Sequence, residues 1–563
     1  MWRSTVGGRA AWREHREAKG RLMNIGRSGA LTALALLVVL GCGGSDAKVD
    51  EGGGGTDGPQ GEPSSSGGPQ PPPEVAPVGG TPVDGVFVSA SKGIDDGDAS
   101  PNRPVKTLAR AVSMAATSGL PVIACAETYP EALTIPDGIR MYGYFDCSES
   151  TWKRRANRAK IVSPTIPAVL VQNSVRSAYF EGFDVIAPDA PAAAPGSPAA
   201  SSYGMIIRHT KNFHIADVSI TAGAGQNATD GTEGAPNVEL STSTKGQWKE
   251  RQRICSEGAV PCAVVVKISG AAGGASQCKV GPSGGPGGQG GDGPVTANRA
   301  NRYILTDQEK SGKPFGAGTA LTAKGAAPMG DLAATKGSNG AQGAVGKAGS
   351  NGVWAFTEAG FVPGNGTPGE NGAPGQGGGG GPGTGLMWSE YNDPVDTPSD
   401  PVMWGAVGAG GGAGGCGGVA GTAGAGGGAS VGLFVVASES ITIDNSRIAG
   451  KSGGRGGKGT LGTIGLPGSP GGPGRYFGPG PNETRLDGLY GGEGGRGGDG
   501  GAAGLSGHGA PGPSIALVYN GERPVVRGVE LVSGTGGLGS PVLARGQQSL
   551  PATVGDAKEE HSF

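Results

Sequence analysis

"YGMIIRHTKNFHIADVSITAG", residues 203–223, and "VGLFVVASESITIDNSRIAGK", residues 431–451, carry one pattern twice. Each reads strand, turn, strand, turn, strand, with apolar and polar residues alternating inside the strands. "SIALVYNGERPVVRGVELVSG", from Ser514, repeats it without a gap, and "AVLVQNSVRSAYFEGFDVIAPD", from Ala168, repeats it after a one-residue shift. The alignment stacks Phe213, Ile215, Val218 and Ile220 on Ile441, Ile443, Ser446 and Ile448, and on Pro524, Val526, Val529 and Leu531. In the first segment Ala178, Phe180, Phe183 and Val185 fill the same columns. These columns are expected to point inward. Three strands per turn of roughly twenty residues predict a mainly β chain wound as a parallel β-helix, rather than a sandwich or a propeller.

Upstream of the repeats, order is expected to begin at "DGVFVSAS", with a strand from Val86 to Ser89. In "VKTLARAVSMAATSG", Leu108, Ala111, Val112 and Ala115 share one helical face, with Gly119 as a stop and Pro121 beyond it. Short strands follow in "VIACA", "ALTIP" and "IRMYGYF". This amphipathic helix is expected to cover the open end of the coils.

"DGVFVSASKGIDDGDASPNRPVKTLARAV" and "AETYPEALTIPDGIRMYGYFD" resemble the amino-terminal segment of uncharacterised bacterial β-helix lipoproteins of the pectin-lyase-like superfamily. The likeness covers residues 85 to 152 by motif and the later coils by pattern. Ala126-Glu127 and Tyr144 depart from the small residues of that motif. The resemblance implies a right-handed β-helix.

Glycine-rich inserts leave the repeats at one place, after "SITAG", "SRIAG" and "ELVSG". Glycine then falls on every third residue in several runs, the longest from Gly450 to Gly474. Collagen shares this period, but these runs are short and separated by strands. Two readings stay open. Polyproline-II-like rods, with three residues per turn, would present a bare glycine face on which neighbours can pack. Alternatively the runs bury too little to be ordered. The aromatic islands Trp354, Phe356, Trp388, Tyr391, Trp404, Tyr476 and Phe477 between the runs favour packing.

The amino-terminal stretch reads as a leader: Arg27 precedes the apolar run Ala30 to Leu40, which is too short to span a bilayer. "VLGCGGS" follows and resembles a bacterial lipobox, with Cys42 as the lipidated residue. An ordinary signal peptide containing a cysteine is the alternative. Met23 is a candidate true start, and Gly43 after the cysteine resembles the outer-membrane sorting pattern. Of seven cysteines, lipidation of Cys42 leaves Cys125, Cys147, Cys255, Cys262, Cys278 and Cys416, an even number suited to disulfides in an oxidising compartment. Zinc is the rival, but no CxxC pair is present. Cys125 with Cys147 and Cys255 with Cys262 are the favoured pairings.

The expected organisation is a signal peptide over 1–41, a lipidated Gly/Pro/Ser tether over 42–84, and a cap with the first coils over 85–221. A glycine-rich insertion over 222–430, a coil over 431–449 and a second insertion over 450–513 follow. A last coil spans 514–550 and a disordered tail 551–563.

With 118 Gly, 43 Pro and a formal net charge of −2, the chain has neither ordinary globular composition nor a field for nucleic acid. Lyases and hydrolases on such folds need clustered carboxylates. The outward columns instead read Glu181, Ala216, Asp444, Arg527 and Asp184, Ser219, Arg447, Glu530, alternating in sign as a solvated, ion-paired face does. Asp95, Asp96 and Asp98 read as a polar turn, and His209 and His214 as surface residues without an acidic partner. The basic run Lys153, Arg154, Arg155, Arg158 and Lys160 reads as a charged outer face. No catalytic residue, cofactor or metal is expected. The expected role is structural or adhesive, on an outer-membrane-anchored surface lipoprotein. The alternatives are a carbohydrate-active β-helix enzyme and a passive polysaccharide-binding module using Trp354, Trp388, Tyr391 and Trp404.

Overall fold

The computed structural model describes residues 80–82, 84–148, 151–192, 198–238, 270–290, 336–381, 387–389, 402–404, 408–477 and 489–563. Cys42, Cys255, Cys262 and Tyr391 lie outside them.

The described chain is mainly β, with one helix and three parallel sheets. Sheet I orders Leu133–Ile135, Val169–Gln172, Ser202–Arg208, Ser430–Ser438, Ser514–Gly521 and Ala557–Ser562. Sheet II orders Val86–Val88, Val122–Cys125, Arg140–Asp146, Ala178–Glu181, Phe213–Ala216, Thr442–Asp444 and Val525–Arg527, and Lys153–Arg154 adds an antiparallel strand beside Arg140–Asp146. Sheet III orders Thr128–Tyr129, Ala159–Val162, Phe183–Ile186, Ser219–Thr221, Arg447–Ala449 and Glu530–Val532. From Val169 onward each repeat visits sheets I, II and III in turn.

The register is the one the aligned repeats require. Phe180, Ile215, Ile443 and Val526 pair in sequence across sheet II, and Val185, Ile220, Ile448 and Leu531 across sheet III. All but Val526 and Leu531, which are partly buried and pack against it, belong to one buried core that also takes Met205, Ile207, Leu433, Val435 and Leu517 from sheet I. A slip of one residue would turn every one of them outward, which is why the apolar columns fix the pairing. The corners are fixed as well. Between sheets II and III the backbone turns through one left-handed residue, Gly182, Asp217, Asn445 or Gly528 (φ 77°, 50°, 45° and 60°). These are residue types for which that conformation costs least. His209 occupies the equivalent corner between sheets I and II at φ 49°, which gives it a backbone role.

The helix Leu108–Ser118 covers the first coil with Leu108, Ala111, Val112 and Ala115. Thr107 caps it by accepting the Arg110 N–H, and Glu131 accepts the N–H groups of Leu108 and Ala109. These groups have no partner inside the helix. Gly119 (φ 72°) ends it, with its N–H on the Ala115 carbonyl.

Among the described residues, the glycine-rich segments contain no strand or helix between their end hairpins, yet their backbones are hydrogen-bonded to one another at every third residue. The N–H groups of Gly337, Gly340, Gly343, Gly346, Gly349 and Gly352 donate in turn to the carbonyls of Glu493, Arg496, Asp499, Ala502, Leu505 and His508. Running antiparallel, Gly494, Gly497, Gly500, Ala503, Ser506, Gly509 and Gly512 donate to Gly472, Ser469, Leu466, Thr463, Thr460, Gly457 and Gly454. Segment 408–428 lies among the others: it donates to 492–510 and to the Gly285 and Gly288 carbonyls, and accepts from 366–381, from 454–472 and from the Ala271 and Gly274 N–H groups. All three of its triplet positions are small for most of its length, "AGGGAGGCGGVAGTAGAGGG" over 409–428. The reason is steric. A Cβ on Gly410, Gly411 or Gly412 would come 2.0 Å from the carbonyl oxygen of Ala272, Gly378 or Ser469, three different neighbours. Segment 336–352, by contrast, keeps one glycine per triplet and exposes most of its other residues. Packing, not disorder, is therefore the state of the described runs.

Side chains take up further N–H groups between segments. Asn339, Asn371, Asn365, Asn227 and Asp230 accept from Arg496, Ala420, Gly426, Arg455 and Lys458 on the adjacent segment. Where the row between 369 and 421 is interrupted, the Ser506 hydroxyl enters, accepting from Gly369 and donating to the Gly421 carbonyl.

Each aromatic island is a two-stranded antiparallel hairpin that joins two segments: Ala355–Thr357 with Gly360–Val362, Met387–Ser389 with Val402–Trp404, and Arg475–Phe477 with Leu489–Gly491. A further hairpin pairs Leu543–Arg545 with Gln548–Leu550, inside the expected last coil. The expected tail is a correction: residues 557–562 form the strand at the edge of sheet I, and Phe563 stacks on Phe434 with ring centroids 5.9 Å apart. The charged residues of "AKEEHSF" hide this strand, since the one large apolar residue of the stretch is Phe563.

Candidate functional site

The outer face of sheet II carries a set of polar and aromatic side chains in two rows. One row across the strands is Arg140, Tyr179, His214, Thr442 and Val525, and the next is Tyr142, Glu181, Ala216, Asp444 and Arg527. His214 Nε2 lies 2.7 Å from Asp444 Oδ2, diagonally across one strand pair, and the Tyr179 ring meets the imidazole edge-on at 4.8 Å. Reading His214 as lacking an acidic partner is therefore corrected. The aligned repeats already put Asp444 one strand away and two positions on, a diagonal within reach of a long side chain.

Glu181 is buried and ion-paired with Arg154, Nη2 to Oε1 2.6 Å. Arg154 comes from the antiparallel strand that folds back over the sheet, and its guanidinium also covers the Tyr144 ring at 5.0 Å. Burial first, and then the Glu181 carboxylate, push the Tyr142 phenol up to about 12. The same two causes raise Tyr144 and Tyr179 further. All three phenols are held neutral. Two more members of the basic run are ion-paired: Arg155 lies 3.8 Å from Asp146 and Arg158 3.5 Å from Asp184. The outward columns pair as their alternating signs suggest, with Arg447 3.2 Å from Glu530 and Arg527 4.0 Å from Asp444.

The outer face of sheet I is closed by the chain itself. Phe356, Trp354 and Phe361, from the hairpin 355–362 and the residue before it, lie on Ile206, Val431, Phe434, Ile515 and Val518, with Phe563 at the margin. Trp354 packs against Phe356, Phe361 and His561, with Lys558 Nζ 5.6 Å from its ring. Its surroundings are those of a packing residue. Trp388 and Trp404 sit on the paired strands of a separate hairpin, where Met387 is opposite Trp404 and Trp388 opposite Met403.

Cys125 and Cys147 are bridged, as favoured from the sequence, and Cys278 is bridged to Cys416, tying segment 270–290 to the central segment. At the carboxyl ends of the first strands of sheet II, Glu127 and the Cys125–Cys147 bridge line a solvent cleft of about 890 Å³. Asp96 lies 4.0 Å from Arg103, and Asp98 accepts the Ser100 N–H, as a polar turn would have it. No helix among the described residues is long and apolar enough to cross a membrane.

No protein-family model, curated protein or solved structure matches the chain.

Proposed function

We propose that the chain is a lipid-anchored surface protein of the bacterial outer membrane with a structural or adhesive role, built as a right-handed β-helix carrying a bundle of polyproline-II-like rods. The observation that carries this reading is the backbone hydrogen bonding of the glycine segments. It makes a long insertion rigid without an apolar core. At ~3.1 Å per residue, the 24 steps from Gly450 to Gly474 span about 75 Å. The ion pairs on the outward columns of sheets II and III and the apolar hairpin over sheet I support a non-catalytic body. Cys42→Ala is expected to release the protein from the membrane fraction with loss of a lipid mass. Retention of that variant would overturn the anchor.

One arrangement favours a second reading, a carbohydrate-binding or carbohydrate-active face. The Tyr179 ring, the His214–Asp444 pair and the Arg154–Glu181 pair form a row of stacking and hydrogen-bonding groups of the kind that sugars engage. Incubation with a panel of acidic and neutral polysaccharides decides between the two. New reducing or unsaturated ends that disappear in Asp444→Asn would replace the structural reading with the enzymatic one.

A further inference from the structure

The strands Val86–Val88, Val122–Cys125 and Arg140–Asp146 run parallel, and the cleft lies beyond their carboxyl ends. Cys125 closes the middle strand, Cys147 follows the third, and Glu127 stands two residues beyond Cys125. The two sulfurs and a Glu127 carboxylate oxygen lie within 4.8 Å of one another. Oε1 of Glu127 is 3.8 Å from Cys147 Sγ.

The carboxylate is held in place by the loop that follows the first strand. Oε2 accepts from the Ser89 hydroxyl and from the Ser91 N–H, both at 3.1 Å, and Oε1 accepts from the Ser91 hydroxyl. Lys92 lines the cleft too, but its ammonium donates to the carbonyls of Cys147 and Ser148. A disulfide sulfur has no proton to give, so beyond its hydrogen bonds to Ser89 and Ser91 the carboxylate gains nothing from its approach to the sulfurs while the bridge is closed. Its placement makes chemical sense with the bridge open.

We propose that the Cys125–Cys147 disulfide is the closed form of a metal site that reduction opens, taking a thiophilic divalent cation such as Zn²⁺ on Cys125, Cys147 and Glu127. The fourth position faces the cleft, where water completes a tetrahedron. Opening is a two-electron step: a small dithiol is oxidised to its own disulfide and passes two electrons and two protons to the bridge, leaving two thiols. Binding the cation releases those two protons to solvent, since the thiolate is the ligand. Zn–S bonds of about 2.3 Å place tetrahedral thiolates roughly 3.8 Å apart. The two Cα atoms are already 5.7 Å apart, so rotation of the cysteine side chains supplies the separation without moving the strands. Soft sulfur ligands select zinc over magnesium or calcium, and Ser89 and Ser91 orient the oxygen ligand as outer-shell partners do. The site stands independently of the proposed surface role.

The test uses the full chain, reduced with a dithiol, freed of it anaerobically and titrated with Co²⁺ alone. A thiolate-to-cobalt charge-transfer band should grow to one equivalent, vanish on addition of Zn²⁺, and be absent before reduction. It should be lost in Cys125→Ser and in Cys147→Ser and kept in Cys278→Ser. Glu127→Gln keeps the bridge and the fold in its oxidised form, and after reduction it should bind about tenfold more weakly or worse. No band in the reduced parent, a band that survives Cys125→Ser, unchanged affinity in Glu127→Gln, or loss of the far-ultraviolet dichroism of the coils on reduction would each overturn the proposal.

Discussion

Substituting Gly468 by Ala adds one methyl group to a segment that a flexible-spacer account and a packed account treat with opposite sign. A Cβ built at Gly468 lies 2.2 Å from the Gly497 carbonyl oxygen, where ordinary contact begins at 3.4 Å. Segments 450–474 and 491–513 must therefore separate by about 1.2 Å, the difference between those two distances. That movement stretches the flanking bonds from Gly497 N–H to the Ser469 carbonyl (2.9 Å) and from Gly500 N–H to the Leu466 carbonyl (2.8 Å). Each is worth ~1 kcal/mol net, and roughly 1–3 kcal/mol if its groups are left buried and unpaired. Alanine returns ~0.4–1 kcal/mol by narrowing the unfolded ensemble. The balance is a loss of about 1–5 kcal/mol. Ile464, 72% exposed in the same segment, supplies the control, because Ile464→Ala removes a side chain that packs little. Urea denaturation and limited proteolysis read the outcome. A Gly468→Ala protein as stable as the parent, or more stable, and no more readily cut between 450 and 474, would refute the packing account.

Acid should loosen the same bundle. Burial holds the His508 imidazole below its ordinary value near 6.5, and its Nδ1 accepts the Gly459 N–H at 2.9 Å, so the folded state favours the neutral ring. This contribution is complete above the unfolded value and is lost as the pH falls through about 6.5 and below. The denaturation midpoint should therefore drop between pH 7.5 and 5 by less in His508→Gln than in the parent. Cys416→Ser, by opening the Cys278–Cys416 bridge, should cost ~2–4 kcal/mol and render 270–290 susceptible to proteases before the sheets unfold. A double-mutant cycle on Arg447 and Glu530, whose side chains are 44% and 65% exposed, should give a coupling below ~1 kcal/mol that falls further with salt. Arg154→Ala should cost about 3 kcal/mol by calorimetry, because it removes the cation from the buried Glu181.

The sheets were legible because their cause is periodic. A two-residue alternation repeated at one spacing leaves a single register, and Asp444 beside Arg527 and Arg447 beside Glu530 follow from it. The glycine period was equally legible, but not its consequence. One glycine in three is compatible with either a rod or a loose chain. What decides is the number of small positions per triplet, which rises from one in 336–352 to nearly three in 409–428 as the neighbours multiply. The aromatic islands could not be read as hairpins, since their pairing depends on where the rods end. His214 was missed for a different reason: its partner is 230 residues away, and only the stacked register brings the two together. The Glu127 cleft was hidden because it joins three loops that no repeat relates.

The hairpin-joined segments also constrain how such a chain can change over generations. Adding one residue to a run would rotate every later glycine away from its neighbour and set side chains against carbonyls along the remaining length. Adding three would restore the rotation but overshoot the end of the adjoining segment, unless three more were added on the way back. Inheritable changes of length in this region should therefore come as matched triplets on the outgoing and returning arms. A lengthened bundle would be recognisable by a pair of nine-nucleotide insertions lying on either side of one hairpin.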